Sequence, residues 1–268
     1  MDFRDKVVVI TGASSGIGLA LAQKLSRAGA TLAMAAREPK AVTEAAASCR
    51  SIGAKVLEVP TDVAIAEQCR RLIDRTVAEL GGVDILINNA GISTGARFDE
   101  TTDLSLFERV MQVNYLGAVY CTHFALPSLK ARAGLLVAIS SLAGKLGVPQ
   151  RSAYVASKHA LQGFFDTLRI ELAGSGIDVL VVSPGYVETG IRTRALGADG
   201  RPLGASDWHE RGKAQTADAC AAAIIDAMAR RRRELVMTRG GRVAQWVRLI
   251  APRLVDAMVA RAVRRAAR

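Results

Sequence analysis

Through most of this chain, short apolar runs of strand length alternate with longer stretches whose apolar residues recur at helical spacing. No other feature constrains the fold as strongly. Val7–Ile10, Thr31–Ala35, Val56–Val59, Ile85–Ile87, Leu135–Ile139 and Val179–Val182 read as strands, and Ala20–Ala28 and Gln68–Leu80 as helices between them. Such alternation predicts a doubly wound parallel sheet with helices on both faces. The strands are apolar almost throughout, as both covered faces of such a sheet require. No sequence repeat and no low-complexity linker interrupts the pattern, so a single α/β domain is expected. With 268 residues, 50% hydrophobic and 23% charged, the chain can bury a substantial core and is not intrinsically disordered.

The net charge of +11 is unevenly placed. Of the 36 Lys and Arg residues, 12 arginines lie in 230–268 against only Glu234 and Asp256. Residues 1–229 therefore carry 24 basic and 23 acidic residues and are nearly neutral. The expected division is a domain over 1–229, with a Gly-, Arg- and Pro-rich loop insertion at 190–213, and a basic extension over 230–268. The asymmetry argues against nucleic acid as a partner of the main domain. Cys49, Cys69, Cys121 and Cys220 show no paired spacing, and His123, His159 and His209 are scattered, so no metal site is expected. The cysteines read as free thiols in a reducing compartment. No apolar stretch reaches the length of a membrane-spanning helix, and Lys6–Ile10 leads directly into a glycine loop without a signal peptide. A cytoplasmic location is expected, with peripheral association at the inner membrane surface left open.

After the first strand comes Thr11-Gly12-Ala13-Ser14-Ser15-Gly16-Ile17-Gly18, followed by a helical run. Glycines at a strand-to-helix turn let backbone N–H groups approach a pyrophosphate at the helix N-terminus. The second strand ends Ala35-Ala36-Arg37, without the acid that would hold an NAD ribose. Arg37 suits a 2′-phosphate, with Ser14 and Ser15 as further donors, so NADP(H) is favoured and NAD(H) is not excluded. A merely solvated arginine is the alternative. Asp62-Val63 and Asn89-Ala90-Gly91 follow the third and fourth strands, where open α/β sheets bind ligands, although a helix cap and a plain turn would look the same.

Tyr154 and Lys158 stand one turn apart on a helix expected from Ser152 to about Leu172. A neighbouring ammonium, with an oxidised nicotinamide, favours phenolate and is expected to lower the tyrosine pKa. Such a tyrosine exchanges protons with a carbonyl or hydroxyl oxygen. Alone, the pair would be an ordinary surface pair. Ser141, ending the fifth strand, can donate to the same oxygen. Asn114 sits mid-helix, either as an irregularity or as a buried amide bonded to backbone. Pro184-Gly185 after the sixth strand can present backbone groups to a nicotinamide carboxamide, or simply turn the chain.

The loop spacing T-G-x-x-x-G-x-G, together with N-A-G, S, Y-x-x-x-K and P-G-x-V-x-T in order over roughly residues 5–190, resembles the short-chain dehydrogenase/reductase (SDR) family. The resemblance implies a Rossmann-type fold and an oxidoreductase. It places Asp62 and Val63 beside the adenine, Asn89, Ala90 and Gly91 under its ribose, and Val187 and Thr189 at the nicotinamide end. It further implies a tetrad of Asn114, Ser141, Tyr154 and Lys158, in which Asn114 holds a water of a proton relay, and a homodimer or homotetramer. Substrate choice is expected in Ser93–Phe98, Leu142–Gln150 and 190–213. Leu142, Leu146, Val148, Tyr186 and Ile191 make the expected pocket apolar, with no convergent cationic clamp beyond Arg192 and Arg194, so a lipophilic carbonyl or alcohol is expected. Other readings are an NAD-dependent alcohol dehydrogenase and a non-catalytic dinucleotide-binding regulator.

In the extension, Ala217–Arg233 reads as a helix and Leu235–Thr238 as a strand. Val243, Trp246, Val247, Ile250, Leu254, Met258 and Val259 recur at helical spacing up to Arg268, interrupted at Pro252. Residues 239–268 suit an anionic membrane surface. Packing on the same domain or on a partner subunit is the alternative.

Overall fold

The computed structural model describes residues 1–204 and 214–266; residues 205–213 of the expected insertion, with His209, and the final Arg268 lie outside them. Among the described residues seven strands form one parallel sheet. In chain order these are β1 (Val7–Thr11), β2 (Thr31–Ala36), β3 (Val56–Pro60), β4 (Ile85–Asn88), β5 (Leu135–Ile139) and β6 (Asp178–Ser183), with β9 (Glu234–Val236) at the edge. A short parallel pair, β7 (Val187–Glu188) and β8 (Gln215–Thr216), lies outside the sheet. The sheet order is β3-β2-β1-β4-β5-β6-β9. The order reverses between β1 and β4, and it is outside the carboxyl ends at such a reversal that open α/β sheets bind ligands.

The helices are α1 (Gly16–Arg27), α2 (Pro39–Arg50), α3 (Ala66–Leu80), α4 (Ser105–Met111), α5 (Gly117–Ala131), α6 (Ser152–Glu171), α7 (Ala217–Ala229), α8 (Arg239–Ile250) and α9 (Pro252–Ala266). Alternate residues of the strands feed two cores. On one face Val8, Ile10, Leu32 and Met34 meet Leu21 and Leu25 of α1 and Ile224 and Met228 of α7. On the other Val9, Ala33, Leu86 and Leu136 meet Leu72 of α3, Leu129 of α5 and Phe165 of α6. This is the expected doubly wound sheet.

Its expected strands are present, extended by a residue or two. The C-terminal segment differs in detail. Helix α7 stops at Ala229, short of Arg233, because Arg231 takes a positive φ of 47° and turns the chain into β9. Strand β9 pairs with β6, so the arginine-rich segment itself supplies a sheet strand. Helix α8 starts at Arg239, earlier than its apolar pattern suggests, because the Thr238 hydroxyl accepts from the Gly241 N–H at 3.0 Å. Pro252 begins a new helix rather than kinking one.

Candidate active site

The glycine loop is built to let backbone approach backbone. A Cβ on Gly12 would lie 2.9 Å from the Ala90 Cα, and one on Gly18 would lie 2.3 Å from the Gly12 carbonyl oxygen. Gly12 and Gly16 also take positive φ, 65° and 56°. Thr189 closes the far side, its Cγ2 3.0 Å from where a Gly16 Cβ would be. Thr11 holds the loop to the β4 end, its hydroxyl accepting from the N–H groups of Asn89 at 3.0 Å and Ala90 at 3.1 Å. Asn89 returns the contact, donating from Nδ2 to the carbonyls of Thr11 at 2.9 Å and Gly12 at 3.1 Å. Ser14, Ser15, Ile17, Ala90 and Gly91 are half-buried around this cradle. The glycines let the loop pack closely on the β4 end, and the first N–H groups of α1, which no side chain caps, suit a dinucleotide pyrophosphate.

Arg37 stands exposed just after β2, 3.4 Å from the Glu38 carboxylate. At the β3 end the Asp62 carboxylate accepts from the Ala64 N–H at 3.0 Å, capping a turn; the residue before α3 is Ile65. Val63 points inward, against Gly117 of α5.

Tyr154, Ser141, Lys158 and Asn114 are brought together from three regions of the chain. Tyr154 and Lys158 are buried on α6, and Ser141 follows β5, close enough to Tyr154 to act on its pKa. Ser141 also accepts from the Ala143 N–H at 3.1 Å, which fixes its rotamer. Lys158 Nζ donates to the Ile139 carbonyl at 2.8 Å and lies 5.8 Å from the Tyr154 ring centroid. A Cβ on Gly91 would meet Asn114 Oδ1 at 3.3 Å and Lys158 Nζ at 3.6 Å. These side chains therefore converge on one spot beside β4.

The electrostatics of the protein alone run opposite to those expected beside an oxidised nicotinamide. Burial raises the Tyr154 pKa above its ordinary value, and the Ser141 hydrogen bond and the charge of Arg151 only partly oppose it. Burial also lowers Lys158 to about 8. An ammonium committed to a backbone carbonyl does not by itself bring the phenol down; what the protein alone supplies is a buried, protonated phenol.

Asn114 lies in a π-helical turn, Gln112–Leu116, between α4 and α5. Its side chain accepts from the Ile92 N–H at 2.8 Å and donates to the Ile92 carbonyl at 3.0 Å and to Ser157 Oγ at 2.9 Å. Both amide protons are thus committed to protein groups. Ser157, which the sequence reading passed over, donates to the Tyr154 carbonyl at 2.8 Å and so links Asn114 to the helix carrying Tyr154. Its only sequence signal is a hydroxyl three residues after the tyrosine.

On the substrate side, the described part of the insertion is joined to the segment that follows β4. The Gly95 N–H donates to the Leu196 carbonyl and the Leu196 N–H to the Ser93 carbonyl, each at 2.9 Å, and the N–H groups of Thr102 and Asp103 donate to Ala198. Leu146 is buried, and Leu142, Val148, Tyr186 and Ile191 are half-buried. The Leu142 N–H donates to the Pro184 carbonyl at 3.0 Å, joining this segment to the turn of Pro184 and Gly185, beyond which Val187 enters β7. Arg192 stacks on the Tyr186 ring at 3.7 Å. Arg194 turns away to the Gly190 carbonyl at 3.0 Å and the Ser15 hydroxyl at 3.1 Å, a contact with the glycine loop that its sequence position does not announce.

Comparison with known proteins agrees with this geometry. The family model described as short chain dehydrogenase matches residues 6–198. The chain is 37% identical over 251 residues to 11-beta-hydroxysteroid dehydrogenase-like 4A of Arabidopsis thaliana, covering 93% of this chain and 82% of that protein. It is 40% identical over 260 residues to dehydrogenase/reductase SDR family member 7B of Rattus norvegicus, covering 94% and 79%. A short chain dehydrogenase/reductase from Burkholderia phymatum, solved in complex with NAD, superposes with a TM-score of 0.83 at 28% identity, covering 95% of this chain and 96% of that one. An alcohol dehydrogenase from the archaeon Thermococcus sibiricus, complexed with 5-hydroxy-NADP, gives 0.75 at 29% identity, covering 87% and 95%. With the glycine cradle and the Tyr154–Lys158 helix set against one sheet reversal, and a family match over most of its length, the chain belongs to the short-chain dehydrogenase/reductase family.

Proposed function

We propose that the chain is an NADP(H)-dependent oxidoreductase acting on the carbonyl or secondary alcohol of a lipophilic substrate, such as a steroid, lipid or aromatic ketone. The observation that carries this reading is the convergence of Tyr154 and the buried Lys158 on α6 with Asn114 and Gly91 at the β4 end, Ser141 standing at the end of β5 beside them. The bound nicotinamide supplies or accepts the hydride. In reduction, Tyr154 gives its hydroxyl proton to the carbonyl oxygen, and Ser141 donates a hydrogen bond to the same oxygen as charge develops on it. Lys158 holds the ribose hydroxyls, and Asn114, through Ser157 and Ile92, keeps α6 in place and stands beside the water of the proton relay. The glycine loop, Thr189 and the backbone of Pro184 and Gly185 hold the cofactor; Asp62, Val63 and Asn89–Gly91 line its adenosine side.

Arg37 supports NADP(H), because its exposed guanidinium suits the 2′-phosphate. Glu38 beside it favours a second reading, NAD(H)-dependent alcohol oxidation by the same residues, since a carboxylate can hold a ribose 2′-hydroxyl. The apolar side chains of Leu142, Leu146, Val148, Tyr186 and Ile191, with Arg194 turned to the glycine loop, support a lipophilic substrate. The test is NADPH and NADH oxidation across a panel of lipophilic ketones with a sugar as control. We expect NADPH to be preferred, and Arg37→Gln to reduce that preference by about tenfold or more. NADPH that binds but is consumed with no ketone would instead indicate a regulatory dinucleotide-binding protein.

A further inference from the structure

Helices α8 and α9 leave a large apolar surface uncovered. Val243, Trp246, Leu249 and Ile250 of α8 and Leu254 and Met258 of α9 are all more than half exposed, Ile250 at 89%. Val243, Trp246 and Ile250 recur at i, i+3 and i+7 and so share one face of α8. Arg239 and Arg242 lie on or beside that face, and Arg253 and Arg261 are exposed on α9. Among the described residues none of these four arginines forms an ion pair. The opposite side of α8 is anchored. Gly241 packs against Leu142, the Arg248 guanidinium donates to the Lys145 carbonyl, and Lys145 pairs with Glu234 of β9 at 2.6 Å. The uncovered face is thus rigidly attached to the segment that follows Ser141.

We propose that α8 and α9 dock the protein on an anionic lipid bilayer, with the apolar face in the headgroup boundary and the arginines on the lipid phosphates. Charge selects this occupant. In a two-fold dimer the surface would meet itself, bringing arginines against arginines with only Asp256 as a carboxylate on either helix. A nucleic acid would satisfy the arginines and leave Trp246, Leu249 and Ile250 in water. A bilayer with anionic headgroups satisfies both sets of groups. The docking stands independently of the catalytic reading. Resting on that reading, it also places the apolar Leu142–Val148 wall beside the lipid from which a lipophilic substrate partitions.

The experiment is co-sedimentation of the full chain with phosphatidylcholine vesicles, with and without phosphatidylserine, at low and high salt. A Trp208→Phe background leaves Trp246 as the fluorescent reporter. We expect binding only to the anionic vesicles, a blue shift of Trp246 emission, and release by salt. Ile250→Glu should weaken binding by about tenfold or more, and joint Arg239→Gln and Arg242→Gln by a similar factor. Both variants change exposed positions, so retained NADPH binding and circular dichroism check that they fold. Failure to bind anionic vesicles at low salt would overturn the proposal, as would binding indifferent to Ile250→Glu. A dimer that Ile250→Glu dissociates, without vesicle binding, would assign the face to a second copy. Loss of ketone reduction with vesicle binding intact would count against the catalytic reading alone.

Discussion

Lys158 is a buried ammonium that donates to the Ile139 carbonyl, and its pKa falls from 10.5 to about 8 on folding. Between these values the unfolded chain holds a proton that the folded protein has released, so stability rises with pH through that window. The wild type is therefore expected to gain on the order of 3 kcal/mol relative to Lys158→Met between pH 8 and 10.5, read from urea unfolding at each pH. A flat difference would mean that the ammonium is better solvated than its burial implies. Tyr154→Phe removes the proton donor while keeping the ring, so turnover should fall by about a thousandfold with NADPH affinity within about twofold, measured by steady-state kinetics and fluorescence titration. That Tyr154 and Lys158 share one face of α6 was readable from their spacing, and the family resemblance pointed to Ser141 and Asn114 beside them. Their electrostatics were not readable, because the rise of the Tyr154 pKa depends on burial that only the packed α6 creates. Ser157 escaped notice for a related reason: a hydroxyl on a helix carries no signal until the helix it faces is known.

The π-helical turn at Gln112–Leu116 shows how one extra residue per turn is used. It presents Asn114 to both the Ile92 backbone and Ser157 of α6. Ser157→Ala leaves one Asn114 amide proton unpaired in a buried site, so we expect a loss of about 1–3 kcal/mol in chemical denaturation. Turnover should fall while KM for NADPH changes little, since Tyr154 loses the hydroxyl that braces its turn. The strands and long helices were legible in the sequence because the apolar periods are long and the sheet is covered on both faces. Asparagine in a helix marked an irregularity but could not say that it is π-helical. At the C-terminal end, the Thr238 cap and the positive φ of Arg231 set boundaries that hydrophobic periodicity does not carry.

Across the whole molecule, distant segments are joined by a few buried polar groups. Asp84, buried before β4, accepts from the Val7 N–H at 3.0 Å, from Lys6 Nζ at 3.2 Å and from Arg132 at 3.2 Å, so it connects the first strand to the end of α5. Lys6 and Arg132 are part-exposed and recover water when released, whereas the Val7 N–H does not. Asp84→Ala should therefore cost about 2 kcal/mol, mainly through that N–H, with the kcat of the folded fraction unchanged. Differential scanning calorimetry beside steady-state rates measures both. The charge asymmetry was visible in the sequence, but not that the arginine-rich segment supplies the edge strand β9 before it becomes surface helix. The ladder joining Ser93 and Gly95 to Leu196, and Thr102 and Asp103 to Ala198, bears on how these segments can be exchanged among relatives. Neither side of that ladder is a separable module. A chimera that exchanges residues 93–103 and 195–204 must preserve this main-chain register, so it is expected to keep its thermal stability only when both segments match in length and come from one parent.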